Sequence, residues 1–395
     1  MVILKSHGRD VLEIDESSIQ KILNIYSDEH LMERPVFANA LESKDLSYTD
    51  LRHECETLLV PWQLFLLSPA KLGRETQKIE EKRKSKFDQK LIASRDNEGK
   101  GVSLRIADRL IALQEFAKEH VAETNAFCGY LKNVHRDKWP QTIINYFEID
   151  PAKLQSGKKK ETLEYLINKA EAKHIRVARG VLTNKLLPVE NKIRSTYRKS
   201  SGFVVKDEKV PYIFLPSEIS DNETPGRQIL TLFALLLLVG LDQYDLYITG
   251  TLELVARSNR TLRQIYGAVS EILLPFDETD KYKGQQVTPT LRDEIASKFM
   301  LTPSAVIVTM RQRDLITDTE YDTLINNIEG MPKGKSHART PRIDTSVKKL
   351  CGSATHSDIV ENLRSGALSN ISAQYLIFGR VDKLRFAKYK ANVGL

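Results

Sequence analysis

One stretch constrains this chain more than any other: the run GRQILTLFALLLLVGLDQY, from Gly226 to Tyr244. Its apolar part is interrupted by Thr231 and Gly240, and it is shorter than the roughly 20 apolar residues that span a bilayer. A helix that is apolar on all sides is buried by other elements of the same protein. The stretch therefore predicts a central buried helix with a substantial core around it, and no membrane span.

The length and the cysteines narrow the class of protein further. A chain of 395 residues is long enough for two or three domains. Cys55, Cys128 and Cys351 lie far apart in sequence, which excludes a CxxC metal knuckle and a disulfide framework. The opening residues, MVILKSHGRDVLEID, lack the long apolar segment and the cleavage site of a secretory signal. We therefore expect a cytoplasmic protein.

The pattern of apolar residues predicts a predominantly helical α+β fold. A helical face recurs between Val102 and Phe127, and a further helix is predicted from Glu161 to Arg179. The segment GFVVKDEKVPYIFLP, Gly202 to Pro216, reads as a strand pair around a turn. This order of helix, strands and helix favours α+β over repeated βαβ units. In TPTLRDEIASKFMLTPSAVIVTMRQRDLI, two helices are separated at Thr302, which is expected to cap the second one before Pro303.

The order of the predicted helices and strands divides the chain into three parts. Residues 1–150 are predicted to form a helical module, and residues 151–329 a mixed domain. Residues 330–395 are predicted to be a basic connector followed by a C-terminal helical tail. The connector, GMPKGKSHARTPR, is rich in the Pro, Gly and Ser residues of loops.

Positive charge is concentrated in one segment. Between Lys153 and Lys199 there are thirteen Lys or Arg residues, four Glu and no Asp, an excess of nine positive charges. Such a field attracts phosphate backbones or an acidic protein, although a charge run is also typical of a solvated helix face. The basic residues proposed to contact a partner, including two in the connector, are Lys158, Lys159, Lys160, Arg176, Arg179, Arg194, Arg198, Arg339 and Arg342.

The central stretch resembles the motif helix of the ImmA/IrrE family of zinc metallopeptidases, which typically reads RQRFTLAHELGH. The matching residues are Arg227, Gln228, Thr231, Leu232 and Leu236. The two histidine positions of the family fall on Ala234 and Leu238, and the position of its general-base glutamate falls on Leu235.

The chemistry of this motif makes the substitutions decisive. Two histidines at i and i+4 share a zinc ion, and the glutamate between them takes a proton from the metal-bound water. Alanine and leucine have no lone pairs to offer. The third ligand of the family is an acid in a segment like EANRFAAELLLP. Here IYGAVSEILLP ends at Pro275, and Gln264 stands at the position of the acid. The resemblance therefore implies a zincin-like domain without catalytic residues, metal or cofactor.

The resemblance covers about Lys160 to Ile325 and is specific in motif between Arg227 and Leu236. The segment SYTDLRHECETLLVPWQLFLLSP, near the start of the chain, is similar to a degenerate form of the helix-turn-helix regulator module that is often fused to such peptidases.

The resemblance implies a catalytically inactive regulatory or binding protein of a phage, plasmid or other mobile element. Family members control repressors or accompany toxin-antitoxin systems, so phage defence and transcription regulation are the expected settings. A protein partner is expected, and DNA is a second possible partner. The alternative function is that of an active metallopeptidase, or another hydrolase, whose ligands are not recognisable from local motifs.

Overall fold

The computed structural model describes residues 1–26, 35–58, 60–86, 104–180, 200–216, 224–244, 248–249, 260–329 and 342–395. This part of the chain is predominantly helical and contains two small β-sheets, which confirms the predicted helix-rich mixture of helices and strands. The chain divides into two compact units. The described residues of the first lie within 1–115 and 359–395, and those of the second within 116–181 and 198–358. The predicted boundaries after residues 150 and 329 stay predictions.

The first unit begins with a β-hairpin that the sequence analysis did not predict. Strand β1 (Val2–Ser6) pairs antiparallel with β2 (Arg9–Ile14), and β1 also pairs parallel with β3 (Asp45–Ser47). His7 and Gly8 both have positive φ angles, of 51° and 74°. Positive φ at both central residues is what the tight turn of a two-residue hairpin requires.

Five helices complete the N-terminal part of this unit. They are α1 (Glu16–Tyr26), α2 (Pro35–Ser43), α3 (Tyr48–Leu58), α4 (Pro69–Lys86) and α5 (Leu104–Lys118), with a 3-10 turn at Trp62–Leu66. The Arg83 guanidinium of α4 donates to both carboxylate oxygens of Asp108 in α5, at 2.7 and 2.6 Å. The helix predicted from Val102 to Phe127 is shorter than expected, but its predicted apolar face is buried at Ile106, Leu110, Leu113, Phe116 and Ala117.

The second unit contains a four-stranded sheet of order β4-β6-β5-β7. Its strands are β4 (Arg176–Gly180), β5 (Ser200–Val205), β6 (Tyr212–Pro216) and β7 (Ile248–Thr249). Strands β5 and β6 form the predicted antiparallel pair, with Phe203 opposite Phe214. Strand β4 runs parallel to β6.

The helix predicted from Glu161 to Arg179 is wrong in its last seven residues. The helix ends at Ala172, and Arg176–Gly180 is strand β4. His174 has a φ of 58°, a left-handed conformation that ends a helix. Arg176 and Arg179 therefore belong to a sheet and not to a solvated helix face.

The helices of the second unit enclose the apolar stretch. They are α6 (Trp139–Tyr146), α7 (Pro151–Leu154), α8 (Lys159–Ala172), α9 (Pro225–Leu241), α10 (Arg260–Leu273), α11 (Phe276–Asp280), α12 (Pro289–Lys298), α13 (Pro303–Gln312), α14 (Asp318–Glu329), α15 (Ile343–Cys351) and α16 (Ser353–Ser365), which continues into the first unit. Helix α9 packs against α8, α10, β5 and β6. Every residue from Gln228 to Leu241 is buried, which confirms the predicted central helix.

Two predicted details of this unit are also confirmed, and a third lies outside the described residues. Thr302 caps α13 through a hydrogen bond from the Ala305 amide to its hydroxyl, at 3.1 Å, and Pro303 follows in the first turn. The connector that begins at Gly330 is outside the described residues, apart from Arg342.

The C-terminal tail is helical, as predicted. Helices α15 and α16 are tied to the sheet by Tyr212, whose hydroxyl is 2.6 Å from the Cys351 carbonyl oxygen and 2.7 Å from Thr355 Oγ1. Helices α17 (Asn370–Phe378) and α18 (Lys383–Val393) follow in the first unit. Within the described ranges, no helix is both long enough and apolar enough to cross a membrane.

Candidate functional site

Helix α9 carries the motif positions and is held at both ends. Thr224 caps its first turn by accepting a hydrogen bond from the Arg227 amide, and Pro225 occupies the first helical position. The Gln228 side-chain amide donates to the Pro216 carbonyl oxygen at 2.6 Å, which joins the helix to the end of β6. At the other end, Asp242 adopts a left-handed conformation, with a φ of 54°, and ends the helix.

The three positions that hold the catalytic groups in the ImmA/IrrE motif are enclosed. Ala234 and Leu235 are 0% exposed, and Leu238 is 1% exposed. Strand β5 closes over this helix at Gly202, whose φ is 152°. A methyl group placed on Gly202 would lie 3.0 Å from Leu235 Cδ1 and 2.7 Å from the Phe214 carbonyl oxygen. No gap separates the leucine from the sheet at this point.

These residues do not fit a zinc ion. Zinc in proteins is held by sulfur, imidazole nitrogen or carboxylate oxygen, and the side chains of Ala234, Leu235 and Leu238 have none of these atoms. Gln264, at the position of the family's third ligand, lies half-buried on α10 and carries a neutral amide. Elsewhere in the described residues, no group of three or more His, Cys, Asp or Glu side chains could hold a metal ion.

The predicted lysine cluster is divided by the structure. Lys158 and Lys160 are exposed, and the Lys158 ammonium lies 3.4 Å from a Glu161 carboxylate oxygen. Lys159 turns inward and donates to the Leu301 carbonyl oxygen at 2.7 Å. Burial lowers the pKa of the Lys159 ammonium. The structure thus gives Lys159 a role in joining α8 to the turn after α12, and only its two neighbours face solvent.

The predicted arginines have partners within their own unit. Arg179 donates two hydrogen bonds to the Glu164 carboxylate, at 2.6 and 2.7 Å. Arg176 is 5% exposed and donates to the Glu171 carbonyl oxygen at 3.4 Å. Its guanidinium is also 3.9 Å from a carboxylate oxygen of Asp358. These contacts stabilise the junction between α8, β4 and α16.

The remaining predicted basic residues lie around the connector or between β4 and β5. Arg342 is exposed at the start of α15 and pairs with Asp344 at 3.1 Å. Arg194, Arg198 and Arg339 lie outside the described residues. Among the predicted basic residues that the structure describes, Lys158, Lys160 and Arg342 are exposed, whereas Arg176 is buried and Arg179 is half-buried.

Helices α12 and α13 have the spacing of a helix-turn-helix pair. Residues 299–302 join them, and Met300 in this turn has a φ of 58°. A DNA-reading pair exposes the start of its second helix to the major groove. Here Val306 and Ile307 are 0% exposed, and the helix carries no basic side chain before Arg311.

The turn of this pair is part of the core as well. A methyl group on Gly226, in the first turn of α9, would lie 3.1 Å from the carbonyl oxygens of both Met300 and Leu301. The turn of the pair therefore packs directly against the first turn of the central helix.

A cavity with both polar and apolar walls lies where α10, α11 and α13 meet, with a volume of about 460 Å³, and no sequence motif pointed to it. The Arg313 guanidinium forms its wall, donating to Thr279 Oγ1 at 2.7 Å and to Glu271 Oε2 at 3.0 Å. It lies 4.0 Å from the centre of the Phe276 ring. Burial raises the pKa of Glu271 and lowers that of Arg313.

At this cavity the ion pair of Arg313 and Glu271 joins the end of α13 to α10. The Arg313 charge is met by Glu271, and Asp280 lies in the lining close to the same guanidinium. No sequence signal could have identified this pair, because Glu271 and Arg313 are separated by 41 intervening residues and belong to no local motif.

Comparison of the whole chain with models of known protein families, with curated proteins and with solved structures gave no match. The likeness to ImmA/IrrE peptidases therefore depends on the residues of the α9 motif and on the segments around it.

Proposed function

We propose that this protein is a catalytically inactive relative of the ImmA/IrrE zinc metallopeptidases that acts as a regulator by binding another protein. The proposal includes a zincin-like arrangement for the second unit. We also propose the setting that the family implies, a phage, plasmid or other mobile element, with a cytoplasmic location.

The single observation that carries the proposal is the enclosure of Ala234, Leu235 and Leu238. A catalytic cleft needs an open position where a water molecule and a substrate can reach the metal. In this chain the same positions are apolar and pack into the core, with β5 directly against Leu235. The parts of the motif that remain, at Gln228 and Thr231, are buried and serve the packing of the helix. What remains for function is the outer surface of the molecule.

Zinc analysis and a hydrolysis assay test this proposal. We expect the purified full chain, grown with added zinc, to contain far less than one zinc per molecule. We also expect no hydrolysis of unfolded casein above that of a mock preparation. One zinc per chain, together with hydrolysis that a chelator abolishes, would establish the metallopeptidase function instead.

DNA is the second partner to test, because Lys158 and Lys160 are exposed at the start of α8. Contacts with phosphates release counterions, so affinity for a 20-base-pair duplex should fall steeply as salt rises. The double variant Lys158→Gln and Lys160→Gln should weaken such binding for every sequence alike. The matched control is Lys71→Gln with Lys82→Gln, which removes two exposed charges from the other unit. Equal binding by both double variants would remove the α8 lysines from the interface.

A further inference from the structure

The C-terminal helical hairpin exposes an unusual number of large apolar side chains. Ile371 is 61% exposed, Tyr375 55%, Val381 42% and Leu384 71%. Single exposed apolar residues are common on protein surfaces, but a concentration of them within one short segment marks a contact site. We call the surface formed by these four residues the α17–α18 face.

The geometry of the hairpin brings these residues close to one another. Ile371 and Tyr375 are four residues apart and share one side of α17. The Asp382 amide donates to the Gln374 side-chain oxygen at 2.9 Å, which places the start of α18 beside the middle of α17. Gln374 is the neighbour of Tyr375, and Leu384 follows Asp382 by two residues. Tyr375, Val381 and Leu384 therefore surround the same turn.

The opposite sides of both helices are already committed to packing. Ala373, Ile377 and Phe378 of α17 are buried, as are Phe386 and Tyr389 of α18. The Phe378 and Tyr389 rings meet edge to face, with centroids 6.5 Å apart. The α17–α18 face is consequently a fixed surface on a packed hairpin, and its apolar side chains cannot turn inward without displacing this core.

Positive charge surrounds the face. Residues 370–395 contain five Lys or Arg residues and one Asp, an excess of four positive charges. The Asp382 carboxylate already forms ion pairs, because one of its oxygens lies 3.4 Å from the Arg380 guanidinium and 3.6 Å from that of Arg385. Lys383 and Lys388 are exposed on either side of Leu384 and form no ion pair with any described residue.

We propose that the α17–α18 face docks an acidic protein segment that carries apolar anchor side chains. Its carboxylates would pair with Lys383 and Lys388, and its apolar side chains would cover Tyr375 and Leu384. An amphipathic helix fits such a surface, because its anchors recur every three or four residues. The proposal rests on the proposed function only in assuming that the chain acts by binding a protein.

The form of the face favours a protein over a bilayer or DNA. Helices that lie in a membrane surface bury a broad apolar side, whereas α17 exposes only two large apolar side chains and α18 only one. A surface that follows a DNA backbone is rich in polar contacts to phosphates, and the four exposed apolar side chains of the α17–α18 face do not supply these.

A peptide selection on the full chain tests the proposal. We would select binders from a displayed library of random 16-residue peptides and measure the affinity of synthetic copies by fluorescence anisotropy. We expect acidic peptides with at least one large apolar residue. Leu384→Ser should weaken their binding at least 10-fold, and Lys383→Gln with Lys388→Gln should weaken it and reduce its salt dependence. Val11→Ser, which removes an apolar residue of comparable exposure from β2, 60% against 71% for Leu384, should leave the affinity unchanged.

All variants carry exposed substitutions, and unchanged circular dichroism and unfolding midpoints would show that they remain folded. Neutral or basic selected peptides, or peptides that bind Leu384→Ser as tightly as the original chain, would overturn the proposal. It would also be overturned if the selection enriched no peptide. Loss in Leu384→Ser of vesicle binding, duplex binding or concentration-dependent dimerisation, without any peptide binding, would assign the face to that other occupant. Each of these outcomes leaves the zinc result unchanged, so the two proposals fail separately.

Discussion

Replacing Leu235 with glutamate restores the general-base position of the family motif and tests whether the core has closed over it. Leu235 is 0% exposed and lies against β5 at Gly202, so the new carboxyl group would enter a packed apolar site. The matched control is Leu235→Ala, which removes at least as many apolar contacts as Leu235→Glu without adding a polar group. The difference between the two variants isolates the free energy of burying the carboxyl.

The expected losses of unfolding free energy follow from the complete burial of Leu235. Truncating a fully buried leucine to alanine costs about 2–5 kcal/mol of unfolding free energy. A buried carboxyl without a hydrogen-bond partner costs about 1–3 kcal/mol more, even when it is neutral. We therefore expect Leu235→Glu to be less stable than Leu235→Ala, although glutamate is closer to leucine in size. The total approaches the roughly 5–15 kcal/mol that stabilises a typical domain.

Urea unfolding, followed by circular dichroism at pH 5 and at pH 8, measures this difference. A buried carboxyl has a raised pKa in the folded state, so the folded protein retains a proton that the unfolded chain has lost. The stability deficit of Leu235→Glu should therefore grow as the pH rises, whereas that of Leu235→Ala should not. The reasoning would be refuted if the triple variant Ala234→His, Leu235→Glu and Leu238→His bound one zinc with an unchanged melting temperature.

Three further predictions follow from buried polar groups. Tyr212→Phe removes the hydroxyl that bonds to the Cys351 carbonyl oxygen and to Thr355, and should cost about 1–3 kcal/mol in urea unfolding; an unchanged midpoint would show that these bonds add nothing. Burial raises the pKa of Glu271, so its contribution to stability is present at low pH and is lost as the pH rises through its folded pKa. The melting temperature of the original chain should accordingly fall, relative to that of Glu271→Gln, between pH 4.5 and pH 7, and a constant difference would contradict this. Burial raises the pKa of the Cys55 thiol to about 12 and that of the Cys128 thiol to about 11. Iodoacetamide should therefore alkylate both more slowly in the folded chain than in urea at pH 8, as mass spectrometry would detect, by about 1,000-fold at Cys55 and about 100-fold at Cys128.

The elements that the sequence predicted well are those with a strong local pattern. The apolar run at Ile229 predicts a buried helix, and the two short apolar runs on either side of Lys206 to Val210 predict a strand pair. The helix cap at Thr302 could be predicted because its side chain has a hydroxyl group and Pro303, which favours the first turn of a helix, follows directly. The burial of Ala234 could be predicted from the same stretch, because the residues from Leu232 to Val239 are all apolar and leave no side of the helix free for solvent.

The predictions that failed concern conformations that depend on distant contacts. Nothing in the letters EAKHIRVARG shows that His174 adopts a positive φ, and the pairing of β4 with β6 is a parallel contact between residues 36 apart. Lys159 is one of three consecutive lysines, and only its hydrogen bond to the Leu301 carbonyl oxygen in the folded chain distinguishes it from its two neighbours. The N-terminal hairpin could have been predicted, since His7 and Gly8 separate two apolar runs.

The complete burial of α9 determines how natural variants of this protein can diverge. A substitution between Gln228 and Leu241 alters the packing of the second unit directly, because every residue in this range is buried and none forms part of the surface. In a mutational scan, such substitutions should lower the cellular abundance of the protein and its activity in parallel, since unfolded chains are degraded. Substitutions that alter activity at constant abundance should map to exposed positions elsewhere in the chain. Plotting activity against abundance for every variant would therefore separate the residues that maintain this fold from those on which selection for partner choice can act.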